Sequence, residues 1–321
     1  MRSRALSIAL LAVAGCAADP DVDVGVTQQT SLVATVAPAT ADPSDTLAPR
    51  ALEYAYAGFP VGPGLTPLPG YGHLVVFLHG GGGTPGGYTT IMQHANSLGF
   101  HVVGIEFYDL ADAPGSPSMD DLCGGDSACI ESVLAAMFAC TAGSPLPVNA
   151  NTCVKDRLDK LLEYLVGADP THNWGQFRNS GHPDWTKIVI AGHSQGGNLA
   201  AYIAQHKPVE RLVMIGAPGD PKDWLNDPLQ PGPDNAYGLV HVQDQVAGYQ
   251  DVKDCWTLLG MTGEWCVDSL CLNVACSPLG GGQYCGAHRL RTMRSVANTH
   301  NSPAQDTSYA STWTYMFTDG L

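Results

Sequence analysis

One serine stands out chemically. Ser194 sits in Gly192-His193-Ser194-Gln195-Gly196, directly after the β-branched run Lys187-Ile188-Val189-Ile190 and directly before a segment with helical spacing. A hydroxyl on a tight turn between a buried strand and a helix points outward, and the helix start leaves free backbone N–H groups beside it. The flanking glycines have a steric reason, because a Cβ would crowd so sharp a turn. Gly196, Gly197, Ala200 and Ala201 would let the helix lie close against a sheet. A serine hydroxyl is a weak nucleophile until a base takes its proton, and that base needs a third group to orient it.

A second cluster points the same way. His73-Leu74-Val75-Val76-Phe77-Leu78 reads as a buried strand and runs into His79-Gly80-Gly81-Gly82-Gly83-Thr84-Pro85-Gly86-Gly87. Glycine loses the most entropy on folding, so a glycine run after a central strand needs a purpose. A phosphate cradle is excluded because no Lys-Ser/Thr follows. The remaining purpose is close approach of backbone N–H groups to a developing oxyanion.

Together the two stretches resemble the G-x-S-x-G nucleophile elbow and the His-Gly-Gly-Gly loop of esterases and lipases of the α/β-hydrolase superfamily. The resemblance implies an α/β-hydrolase fold, a mostly parallel central sheet with helices on both faces. It implies Ser194 as nucleophile, with the oxyanion held by the backbone N–H of Gln195 and of Gly81 or Gly82. The chain order in that superfamily is Ser, then Asp or Glu, then His, which restricts the base to His206, His241, His288 or His300. His206 lies along the helix that starts at the serine, and His241 sits inside a strand. His300, in the polar loop 298–302, is expected over His288, which opens a strand. Asp244 is expected over Asp220 because it follows the later strand, while Asp220 is expected to cap a helix near Trp224. The side chains of His193 and Gln195 are expected to pack or to shape the loop. Acyl transfer of this kind requires no metal or organic cofactor. The implied function is carboxylic ester hydrolysis on a small-molecule or polymeric ester; a serine peptidase, or a binding protein that has kept the fold, are the competing readings.

The elements that must carry these groups alternate along the chain. Strands are expected at 51–61, 73–78, 101–107, 187–191, 210–215, 237–242 and 288–296. Helices are expected at 88–98, 130–138, from Lys187's strand onward after Ser194, and at 304–317. Val154, Leu158, Leu161, Leu162 and Leu165 fall at helical spacing, and Gly167 ends that helix. Strands alternating with helices give a parallel sheet with right-handed crossovers. The excursion 108–151 is expected to wall the site.

The rest of the 321 residues sets context. Arg2 and Arg4 precede a short apolar run ending in Val13-Ala14-Gly15-Cys16, which resembles a bacterial lipobox. Residues 1–15 are therefore expected to be a lipoprotein signal peptide, and Cys16 the lipidated first residue of a chain exported to the outer envelope membrane or secreted. Residues 16–50 read as a flexible tether rich in Ala, Thr and Pro, and 51–321 as the catalytic domain. The formal net charge of −15 argues against nucleic acid and against an anionic membrane surface, leaving membrane contact to the lipid anchor alone. Of ten cysteines, nine remain if Cys16 carries lipid. In an exported chain they read as four disulfides and one free thiol, with Cys140–Cys153 the expected pair in the first half. Residues 255–285, with five of the ten, are expected to form a stapled insertion near the pocket.

Overall fold

A computed structural model describes residues 32–45, 51–58, 66–220, 222–268 and 283–321. Short runs of apolar and β-branched residues build the strands. These are β1 (Leu32–Val36), β2 (Glu53–Tyr56), β3 (Leu74–Leu78), β4 (His101–Ile105), β5 (Ile188–His193), β6 (Arg211–Ile215), β7 (Ala236–His241), β8 (Glu264–Cys266) and β9 (Arg289–Thr292). They form one sheet in the order β1-β2-β4-β3-β5-β6-β7-β9-β8. From β4 to β8 every pairing is parallel, and only β1–β2 and β2–β4 are antiparallel. Residues of β3 to β6 are buried throughout, as expected of parallel strands covered on both faces.

The helices divide between the faces. Ser127–Ala139 (α2), Val154–Ala168 (α3), Gln195–His206 (α4) and Tyr249–Leu258 (α5) pack with Leu74, Val76, Ile188, Ile190 and Met214. Thr89–Ser97 (α1) and Ala310–Thr318 (α6) pack with Val75, Phe77, Val189, Ala191 and Val213 on the other side. The alternation of Ile188 and Ile190 with Val189 and Ala191 along β5 is the period of two that sends successive side chains to opposite faces.

Three expectations are corrected here. The tether does not run to residue 50, because residues 32–45 belong to the fold. Leu32–Val36 extends the sheet beyond β2, whose expected place at the edge it takes, and the Asp45 carboxylate pairs with the Arg157 guanidinium of α3 at 3.0 Å. The closing helix is broken: Ser302–Gln305 stops at Asp306, whose carboxylate takes the Ser308 N–H at 2.9 Å and restarts the chain toward α6. Of the cysteine-rich insertion, Glu264–Cys266 forms the far edge of the sheet as β8, and none of its described residues lines the cavities beside Ser194.

Cys140–Cys153 forms as expected and staples the end of α2 to the start of α3; Cys123 pairs with Cys129. Cys266 and Cys285 are also disulfide-bonded, and Cys255 is a free, buried thiol. The signal peptide, Cys16, Cys271 and Cys276 lie outside the described residues.

Candidate active site

The elbow is built by steric necessity. β5 ends at His193, α4 begins at Gln195, and Ser194 between them is held at φ 54° and ψ −123°. A non-glycine residue rarely adopts such a conformation, and it costs energy that the surrounding structure must offset. The Ser194 N–H donates to the Ile215 carbonyl at 2.9 Å, and its own carbonyl accepts from Gly197 and Asn198 at 2.8 and 3.0 Å. A Cβ on Gly192 would stand 2.2 Å from the Gly196 carbonyl oxygen, and one on Gly196 would stand 2.4 Å from the carbonyl oxygens of Leu78 and His79. Both glycines of the motif are therefore demanded by contact, the second because the elbow packs onto the end of β3.

The residues expected as acid and base, Asp244 and His300, come from the loops after β7 and β9. His300 Nδ1 lies 2.9 and 2.8 Å from the two Asp244 carboxylate oxygens. A carboxylate only accepts, so Nδ1 carries the proton, and in the neutral ring the lone pair is left on Nε2. Asp244 is fixed in turn: its Oδ1 accepts from the Val246 and Ala247 N–H groups at 2.9 Å each, and its side chain is fully buried. The His300 N–H donates to Asn298 Oδ1 at 3.0 Å, which sets the loop. Gly216, at φ +56°, leaves room for the pair, since a Cβ there would stand 3.3 Å from both side chains. His300 and Ser194 line one cavity.

The competing histidines are placed elsewhere. His288 Nδ1 bonds the Ala236 carbonyl at 3.1 Å beside the sheet, His206 Nδ1 bonds the Tyr202 carbonyl at 2.8 Å, and His241 Nε2 bonds the Arg294 carbonyl at 2.8 Å. Asp220 does not cap a helix: the 3-10 turn near Trp224 has Lys222 at its cap, and Asp220 pairs with that lysine at 3.3 Å.

The glycine loop corrects one expectation. The Gly82 N–H donates to Asp109 Oδ2 at 3.0 Å, so it is occupied and cannot serve an oxyanion. Gly80 N–H donates to the Tyr88 hydroxyl at 3.1 Å, and Gly83 N–H to the Gly80 carbonyl at 2.8 Å. That leaves Gly81 of the loop. Its Cα faces the elbow so closely that a Cβ would stand 2.5 Å from Gln195 Oε1. Gly81 and Gln195 thus offer two backbone donors at adjoining positions, one beside β3 and one at the start of α4. The Gln195 side chain, as expected, packs, with its amide against the Met137 sulfur at 3.8 Å.

Residues the sequence did not single out complete the site. Asp109 is fully buried; besides Gly82 it accepts the Ala111 N–H at 2.8 Å, and so ties the glycine loop to the loop that follows β4. Asp109-Leu110-Ala111-Asp112 has the short acidic side chains that bond nearby backbone, but the contact with Gly82 is not a local one.

Two cavities flank Ser194. The one that holds His300 measures about 230 Å³ and is rimmed by Thr84, Asn301 and Gln305. The other measures about 190 Å³ and is lined by Leu110, Met119, Val246 and Ala247, with Asp220 at one side. Among the described residues no group of three His, Cys, Asp or Glu is placed to hold a metal ion, and no helix is long and apolar enough to cross a membrane.

A parallel sheet with a serine elbow after one strand and an Asp-His pair on later loops defines an α/β-hydrolase. The sequence profile described as the Alpha/beta hydrolase family matches residues 75–271, more than half of the chain, and the chain belongs to that family. No curated protein sequence matches it. Among solved structures it is similar to an a/b serine hydrolase without lid from Xanthomonas campestris (14% identity, 92% of this chain and 97% of that one, TM-score 0.43). It is similar too to a dienelactone hydrolase from Anabaena variabilis (15%, 90% and 96%, TM-score 0.42). A thermophilic esterase from Thermogutta terrifontis gives 11% identity over 86% of this chain and 83% of that one, with a TM-score of 0.37. At such identities the likeness concerns the fold alone.

Proposed function

We propose that the protein hydrolyses carboxylic esters through an acyl-enzyme on Ser194. The observation that carries this reading is the Asp244–His300 pair, at 2.8 Å, opening onto the cavity that Ser194 lines. In this mechanism Ser194 Oγ attacks the ester carbonyl and gives its proton to His300 Nε2. The tetrahedral oxyanion is held by the N–H groups of Gly81 and Gln195. His300 then protonates the departing alcohol, which places the alcohol on the His300 side, among Thr84, Asn301 and Gln305. The acyl group lies toward Leu110, Met119 and Val246. Water, deprotonated by the same imidazole, attacks the acyl-enzyme, and the acid and Ser194 are released. Asp244 holds the ring in the productive tautomer and stabilises its cation.

We further propose that the enzyme works outside the cytoplasm, held to the outer envelope membrane through lipid on Cys16 or secreted. The disulfides at Cys123–Cys129 and Cys140–Cys153 support an oxidising compartment.

The decisive experiment combines a fluorophosphonate probe with p-nitrophenyl esters of increasing acyl length and the matching anilides. Labelling and ester turnover are expected in the wild type and lost in Ser194→Ala, with residual turnover below about a thousandth. Anilide hydrolysis as fast as ester hydrolysis would make it a peptidase. Failure of the wild type to label would make it a binding protein.

A further inference from the structure

The mechanism proposed above leaves a buried file of hydrogen bonds unused. Gly80 N–H donates to Tyr88 Oη at 3.1 Å, Tyr88 Oη lies 2.9 Å from His193 Nδ1, and His193 Nε2 lies 2.9 Å from the His300 carbonyl oxygen. The protons along this file have one arrangement. The His300 carbonyl only accepts, so His193 carries its proton on Nε2. Nδ1 of the neutral ring is then an acceptor, and the Tyr88 hydroxyl must donate to it. That leaves the Tyr88 oxygen to accept from Gly80. Every polar atom in the file is used, and both side chains are almost wholly buried, His193 at 1% and Tyr88 at 4% exposure.

The ends of the file explain its value. One end is the residue before Gly81, the proposed oxyanion donor. The other is the backbone of the proposed base itself. The middle is the residue before the nucleophile. Three segments that the chain brings from far apart (|i−j| of 105 and 107 for the two long-range links) are thus tied to one another through two rings. The loop packs tightly on both rings, since a Cβ on Gly80 would stand 3.0 Å from both His193 Nδ1 and Tyr88 Oη. The rings of His193 and His300 are 4.5 Å apart, so His193 must stay neutral when His300 takes a proton. Burial first, then the neighbouring His300 charge, lowers the His193 pKa to about 4.

We infer that Tyr88 and His193 are positioning residues that lock the oxyanion loop and the base loop to the nucleophile elbow in one register. The inference rests on the proposed roles of Ser194 and His300. Neither residue touches the reacting atoms. They act through the aim of the Gly81 N–H and the seat of His300.

The test uses Tyr88→Phe, which removes one hydroxyl, and His193→Phe, which keeps a ring and removes both nitrogens. On one p-nitrophenyl ester, Tyr88→Phe is expected to lower kcat about tenfold with KM within about twofold, because a misaimed donor is missed chiefly in the transition state. The double variant is expected to lose about as much as His193→Phe alone, as groups acting in one file are not additive. In parallel, 15N-histidine NMR of the unmodified protein at pH 7 is expected to show His193 neutral with its proton on Nε2, and Tyr88→Phe to shift the Nδ1 resonance. Wild-type kcat in Tyr88→Phe, a loss confined to KM, additive losses in the double variant, or a proton on Nδ1 would each overturn the inference. If the unmodified protein turns over no ester and Ser194 takes no probe, the esterase reading fails by itself, and the His193 tautomer still decides whether the file exists as described.

Discussion

His300 and Asp244 meet although 56 residues separate them, and their pairing was legible because each stands just beyond a strand. Side chains that follow strand ends in a parallel sheet gather on one rim, so chain order and loop position were enough to prefer them over His288 and Asp220. What local sequence does not contain is the choice between two adjacent glycines. Gly81 and Gly82 read alike, and only the approach of Asp109 to the Gly82 N–H at 3.0 Å separates them. Nor could the spacing show that Tyr88 would meet His193. The assignment is open to direct measurement. His300→Ala and Asp244→Asn should each lower kcat/KM by about a thousandfold or more, the second because an amide at that position no longer enforces the proton on Nδ1. His288→Ala, whose ring bonds the Ala236 carbonyl beside the sheet, should stay near wild type. The reverse ranking of the two histidines would remove His300 from the mechanism.

At the scale of elements, the buried parallel strands were readable because both of their faces are covered and they show as continuous apolar runs. β1 was not. Leu32-Val33-Ala34-Thr35-Val36 has the β-branched residues of a strand, but it is short and lies in a stretch dominated by Ala, Thr and Pro, which hides its antiparallel pairing with β2. The same corner holds an unusual group. Glu53 of β2 is 1% exposed, and neither carboxyl oxygen has a hydrogen-bond partner among the described residues. Burial raises its pKa to about 8, against the opposing attraction of Arg157 and with smaller contributions from Glu106 and Asp45. The sign follows from linkage. The folded state holds a proton that the unfolded chain releases near the ordinary glutamate value of about 4.3, so stability falls as pH rises from there toward about 8. Glu53→Gln keeps the shape and cannot ionise. Its thermal midpoint should therefore fall less than that of the wild type between pH 5 and pH 9, with a higher midpoint at pH 9. Parallel curves for the two proteins would show that Glu53 does not titrate in this window.

At the scale of the whole molecule, cysteine chemistry links the fold to its proposed place in the cell. Cys123, Cys129, Cys140, Cys153, Cys266 and Cys285 are all in disulfides, and Cys255 is free, buried on the inner face of α5 and with its thiol pKa raised to about 12, first of all by burial. Such a thiol is almost wholly protonated at neutral pH and shielded from oxidants, so it can persist unpaired in an oxidising compartment. On the expected count of four disulfides, the mature protein should carry one free thiol. If Cys16 bears lipid, its sulfur is a thioether and adds nothing to that count. The expected outcome is no thiol titrated in the native protein and one in denaturant without reductant, with the mature N-terminus a modified Cys16 by mass spectrometry. Cys16→Ala should then move the protein from the membrane fraction to the soluble one. Two thiols in denaturant together with an unmodified Cys16 would refute the anchor while leaving the disulfide assignment intact. Several thiols with a lipidated Cys16 would do the opposite, and point to a chain that folds before it meets an oxidant.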